Sequence, residues 1–176
     1  LILYERNDKS MKKVAIIMGS ESDLPVVSAA VSQLEKLGIE YVSHIFSAHR
    51  TPYETAEFSR NARAENFGVI IACAGKAAHL AGAIASQTTL PVIGVPIKSS
   101  TLDGLDALLS TVQMPTGIPV ATVAIDGAAN AAILAAQILA VEDERIAVKL
   151  NDMRVEMSKA VLKKDAELGG KIQKHS

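Results

Sequence analysis

The sequence predicts an α/β domain in which a five-stranded parallel sheet carries helices on both faces. Three observations predict it. Short β-rich runs alternate strictly with helical segments along the 176 residues, the pattern that builds successive βαβ units. Apolar residues make up 49% of the chain but aromatics only 3%, so the core is made of Ala, Val, Ile and Leu, which suits helices packed on a sheet buried from both sides. The segments after the first four strands, "MGSESD", "SAHRTP", "AGKAAHLAG" and "GVPIKSS", are each rich in Gly, Ser, His or Pro.

The first strand is read at residues 14–18, in a fold that starts at Met11. Residues 1–10, "LILYERNDKS", lack the basic start, long apolar centre and small-residue cleavage site of a signal peptide; they are read as an added or upstream extension. A helix over 23–37 follows, closed by Gly38. Strand 41–46 leads to helix 52–65, which Pro52 opens with Thr51 as a plausible cap. Strand 69–74 and helix 77–86 come next, then strand 91–95 with helix 102–111, and strand 120–125 with helix 128–140. The length fits one domain, residues 11–165, with a polar tail at 166–176. The expected architecture is three-layer, doubly wound and flavodoxin-like, with a C-terminal extension helix.

Two helices carry a further signal. Residues 128–140, "AANAAILAAQILA", are apolar nearly all round, more than one sheet face accounts for. The last helix, 142–164, sets Ile146, Leu150, Met153 and Met157 in one stripe after the sheet is complete. Both predict subunit contacts in a homo-oligomer; the alternative is an amphipathic helix folded back on its own domain.

Composition excludes several function classes. A formal net charge of −1 gives no bulk attraction to nucleic acid or an anionic membrane, so an anionic ligand needs a local site. No apolar run reaches the length of a membrane span, and a cytoplasmic protein is expected. Cys73 is the only cysteine and sits in the apolar run "VIIACA", where it reads as a small hydrophobe. His49 and His79 have no carboxylate at ligand spacing, so no metal site is expected. His44, inside a strand, reads as structural, and His175, in the tail, as inert.

In an open parallel sheet, ligands bind beyond the carboxyl ends of the strands, near the switch in strand order. In "IIMGSESDLP" a strand runs into Gly19 and a helix begins near Asp23, with Ser22 or Asp23 as cap. Free amides there suit a phosphate or carboxylate; a plain cap explains the same residues. The segment is neither a Walker loop nor a dinucleotide fingerprint. In "FSAHRTP", Arg50 is shaped for phosphate and His49 is an imidazole placed to move a proton. Alone, that pair reads more readily as a solvated loop histidine and a surface arginine; the matching chemistry of two neighbouring loops reverses that reading. "AGKAAHLAG" adds His79 in a small-residue turn whose amides, 76 to 80, suit a carboxylate.

These segments, with "PVIGVP", "QMPTGIPVATVAI" and "AANAAILAAQIL" in this order, closely resemble the PurE family of purine biosynthesis over about residues 13–155. The likeness is greatest to its class I members, the N5-carboxyaminoimidazole ribonucleotide mutases. The resemblance implies a cofactor-free isomerisation of a small-molecule ribonucleotide, in which a carboxylate moves from an exocyclic nitrogen to ring carbon four. It implies His49 as the catalytic acid and base. Substrate contacts are implied at Ser20, Asp23 and Arg50, with Ser22, Ser47 and Ala48 beside them, and in the Gly75–Gly82 loop at Gly75, Lys76, Ala77, His79 and Leu80. It also implies an octamer with sites near subunit junctions.

The chain departs from the family pattern in places. The family loop usually reads Gly-Gly-Ala-Ala-His-Leu-Pro-Gly, whereas Lys76 replaces the second glycine and Ala81 the proline. Leu24 stands where tryptophan is common, and the turn at "AIDGAAN" is about two residues shorter than usual. Lys76 either adds a charge for the carboxylate or crowds the backbone. A basic residue there also resembles class II relatives, which carboxylate aminoimidazole ribonucleotide with free CO2. That carboxylase, and a non-catalytic nucleotide-binding module on the same scaffold, are the rival expectations.

Overall fold

A computed structural model describes residues 10–172. The expectations for residues 1–9 of the extension and for 173–176 of the tail, His175 included, lie outside the described residues. The sheet is formed by β1 (Lys13–Met18), β2 (Tyr41–Ile45), β3 (Phe67–Gly75), β4 (Val92–Ile97) and β5 (Ala121–Thr122). The strands are all parallel, in the order β2-β1-β3-β4-β5, which is the flavodoxin-like order with its switch between β1 and β3.

Period-two alternation sends the strand side chains to two separate cores. Val14, Ile16 and Met18 join Val69, Ile71, Cys73, Ile93 and Val95 on one face, under α1 (Leu24–Leu37) and α5 (Ala128–Ala140). Ala15, Ile17, Ile70, Ala72 and Val92 face the other way, with residues of α3 (Leu80–Ala85). The helices α2 (Pro52–Asn61) and α4 (Leu105–Val112) complete that layer. Gly38 ends α1 at φ 65, as its place in the sequence predicts. His44 stacks on Phe46 with centroids 5.0 Å apart and meets Phe58 edge-on, a structural role. Among the described residues no helix is long and apolar enough to cross a membrane.

The expected boundaries shift where local chemistry intervenes. The helix expected to reach residue 65 stops at Asn61. Asn66 takes a left-handed φ of 68, and its side-chain amide donates to Met11 O at 3.2 Å, so the chain turns early into β3. β5 shrinks to two residues. Beyond it, Val123 N–H still donates to Gly94 O and Asp126 N–H to Pro96 O, keeping the chain beside β4.

The apolar helices are corrected more substantially. α5 packs on β3 and β4 with one side and on α1 and the final helix, α6 (Glu144–Ile172), with others. Its Ala128, Ala131, Ala132, Ala135, Ala136 and Leu139 are buried within the chain, whereas Ile133, Leu134 and Ile138 are only partly buried. In α6, Ile146 is fully buried and Leu150 nearly so, with Met153 packed against the same core. Burying Ile146 contributes about 1.5–3 kcal/mol. Lys149 Nζ donates to Leu37 O at 2.7 Å, placing a cation at the C-terminus of α1. The first part of the stripe is thus folded back on its own domain. Val148 is exposed on the other side of this part, and farther along α6 also leaves Val155, Met157, Val161, Leu162 and Leu168 exposed.

Candidate functional site

The loop after β1 is drawn tight by its own polar groups. Gly19 N–H donates to Cys73 O at 3.0 Å, tying the loop to β3. Ser20, rather than Ser22 or Asp23, is the working cap, and it serves a 3-10 turn at Glu21–Asp23 that precedes α1. Its Oγ accepts from Ser22 Oγ at 3.0 Å and from Ser22 N–H at 3.4 Å. The Asp23 carboxylate reaches back to accept Ser20 N–H at 3.1 Å, completing a capping box. Asp23 is buried, and burial raises its pKa against the lowering effect of hydrogen bonds from Ser20, Ser22 and Gly19.

After β2 the chain folds around Ser47. Ser47 N–H donates to Thr51 Oγ1 at 2.8 Å, and Thr51 Oγ1 donates to Ser47 O at 3.2 Å. Thr51 therefore braces the loop and makes no side-chain cap bond to α2, contrary to the sequence expectation. Arg50 Nε donates to Ser47 Oγ at 3.3 Å and its Nη2 to Gly19 O at 2.8 Å. The guanidinium thus joins this loop to the loop of the neighbouring strand β1, with His49 next to it in the chain.

The loop after β3 brings the second histidine to the first. His49 Nε2 and His79 Nδ1 lie 2.9 Å apart, with the rings at 81°. One nitrogen donates and the other accepts, so two protonated rings cannot keep this bond. Lys76 has a φ of 55, a left-handed conformation that costs a residue with a Cβ ~1–2 kcal/mol. Two of the amides expected to be available to a carboxylate are used inside the loop: Ala78 N–H donates to Lys76 O and His79 N–H to Ala77 O, both at 2.8 Å. Gly75 runs against β4, where an added Cβ would stand 3.1 Å from Ile97 O.

These loops line an open cavity of about 670 Å³ at the carboxyl edge of the sheet. Ser20, Ser22, Asp23, Ser47, Ala48, His49, Arg50, Gly75, Lys76, Ala77 and Leu80 all line it. His79 does not; it stands against His49 instead. Sequence reasoning missed Ile97, Lys98, Ser99 and Ser100, which close the cavity from the β4 side. The signal was present in "GVPIKSS" at a strand end, but no single residue type in it marked chemistry. Lys98 Nζ pairs with Asp103 at 3.1 Å, and Lys98 N–H donates to Asp126 Oδ1 at 2.9 Å. Cys73 lies beneath the floor, its thiol pushed up to about 12 by burial and then by the Asp23 charge, so it stays a protonated hydrophobe at neutral pH.

The chain's sequence matches the model of the AIR carboxylase family over residues 13–160. The N5-carboxyaminoimidazole ribonucleotide mutase of Thermotoga maritima is 55% identical over 158 residues, covering 90% of this chain and 92% of that protein. The protein of the same name from Pyrococcus horikoshii is 52% identical over 168 residues, covering 96% and 94%. Among solved structures, Treponema denticola PurE superposes with a TM-score of 0.82 at 30% identity, covering 89% of this chain and 98% of that one.

Proposed function

The chain belongs to the AIR carboxylase family, and on that premise we propose that it is an N5-carboxyaminoimidazole ribonucleotide mutase of purine biosynthesis. The observation that supports this most is one cavity lined by His49, Arg50 and the capped Ser20–Asp23 turn, with a second imidazole bonded to His49.

The reaction moves a carboxylate and exchanges two protons. The bond from the exocyclic nitrogen to the carboxylate breaks, CO2 is freed, and that nitrogen gains a proton. The electron-rich ring carbon four then attacks the trapped CO2, and the proton displaced from that carbon leaves. His49 gives the first proton and takes the second, so one imidazole serves both steps. His79 orients it and fixes which nitrogen carries hydrogen. Ser20, Ser22, Ser47 and Arg50 receive the phosphate end, and Asp23 the ribose hydroxyls. The Gly75–Gly82 loop retains CO2, since escape aborts the transfer.

The class II reaction, carboxylation by free CO2, is the second reading, and Lys76 on the cavity is the observation that favours it. The chain is further proposed to work in the cytoplasm as a homo-octamer, assembled in part through the exposed apolar residues of α6 beyond Met153.

Turnover of two substrates in parallel tests the reading. Conversion of the N5-carboxylated ribonucleotide at low bicarbonate is expected; conversion only of aminoimidazole ribonucleotide plus bicarbonate would move the chain to class II. His49→Asn is expected to keep fold and ligand binding and to lose about 10²–10⁴-fold in kcat. Retention of most activity would remove His49 from its role.

A further inference from the structure

Lys76 combines two observations that the proton chemistry leaves unused. Its backbone occupies the left-handed region at φ 55, where glycine sits without penalty and a long side chain does not. The residue lines the cavity and is exposed, and among the described residues it has no ion-pair partner. The other cations on the rim are engaged. Arg50 donates to Gly19 O and Ser47 Oγ, and Lys98 is paired with Asp103. Asp23, the carboxylate lining the cavity, is turned to Ser20 N–H. Lys76 is therefore a cavity-lining cation with no counter-ion among the described residues.

The ligand of the proposed reaction is anionic at two ends, phosphate and carboxylate, and the fold separates the loops that meet them. Arg50 bridges the β1 and β2 loops. Lys76 lies on the β3 loop, three residues before His79, and its carbonyl accepts Ala78 N–H. His79 in turn touches His49, which has to stand at the reacting nitrogen and carbon. The ammonium thus belongs to the end where the carboxylate leaves and rejoins, and its flexible four-carbon stem lets it follow that group between the two positions.

We propose that Lys76 is a specificity-determining residue whose ammonium pairs with the ligand's carboxylate and distinguishes carboxylated ribonucleotides from the bare aminoimidazole. The assignment deepens the proposed function and rests on it. Its strained backbone is the cost of presenting that charge at a position suited to glycine.

The test is calorimetric titration of the C4-carboxylated aminoimidazole ribonucleotide, and of the same ribonucleotide without the carboxylate, into the full chain. Lys76→Met is expected to weaken the carboxylated ligand about 10-fold or more and the bare one less than about 2-fold. Lys76→Arg keeps the wild-type ratio. Lys76→Gly, whose backbone suits the turn, loses discrimination as Lys76→Met does while melting no lower than wild type. Equal weakening of both ligands, or an unchanged ratio in Lys76→Met and Lys76→Gly, overturns the role of Lys76 and leaves the mutase reading standing. Failure of the wild-type chain to bind either ribonucleotide overturns both.

Discussion

Asp23 shows how one side chain serves fold and site together. Its carboxylate closes the turn by accepting Ser20 N–H, yet it is buried and its pKa is raised from the ordinary 3.8. An acid whose pKa rises on folding favours the folded state in its protonated form. Its contribution is fully present below the unfolded value and is lost as pH rises through the folded one. Asp23→Asn keeps an oxygen to accept Ser20 N–H but removes that loss. The melting temperature of Asp23→Asn relative to wild type is therefore expected to climb as pH goes from about 3 to 7; a flat or falling difference would contradict the account. At this scale the sequence marked residues that line one cavity and misassigned the cap among them. Asp23 and Ser22 read as caps because a helix starts beside them, but the cap that forms is Ser20, one short turn earlier. His79 read as a ligand contact because it shares a glycine-rich loop, and only the folded structure, in which the β2 and β3 loops meet over the end of β1, reveals its bond to His49.

Elements were legible where periodicity was strong and blurred where turns decide. The three buried strands and α5 follow directly from runs such as "VAIIM" and "AANAAILAAQILA". β5 did not, because Pro119 and the turn at Asp126 leave it only two paired residues beside β4. The cavity's fourth wall was missed for a related reason. Ile97–Ser100 is held by the backbone of Lys98 bonded to Asp126, a contact 28 positions away that no local pattern announces. Packing between β4 and α4 is equally specific. A Cβ at Gly94 would press into Thr111 Cγ2 and stand 2.9 Å from Val120 Cγ1. Thr111 has little room to yield, because its Oγ1 donates to Ala107 O at 2.7 Å. Gly94→Ala is expected to destabilise the fold by ~1–3 kcal/mol, measured by denaturant unfolding. A loss under a few tenths would show that α4 slides freely on the sheet.

On the scale of the whole molecule, the single sheet with its crevice at the β1–β3 switch collects loops that are far apart in sequence. That convergence was legible from strand alternation, since parallel topology places every strand's carboxyl end on one edge. The use of the last helix was less so, because a stripe of apolar residues does not say whose core it fills. Ile146 and Leu150 fill their own. Removal of residues 155–176 is therefore expected to leave the domain folded but to lower its mass in solution, read by light scattering. An unchanged mass would exclude the distal part of α6 from the subunit contacts.

The central claim is that the cavity keeps CO2 between its departure from nitrogen and its capture by carbon. The direct measurement is turnover of substrate labelled with ¹³C in its carbamate, in buffer containing unlabelled bicarbonate. The account predicts that product carries the label at its new carboxylate, with little dilution. Product labelled only in proportion to the bicarbonate pool would show that CO2 leaves the site and returns from solution, contradicting transfer within the cavity.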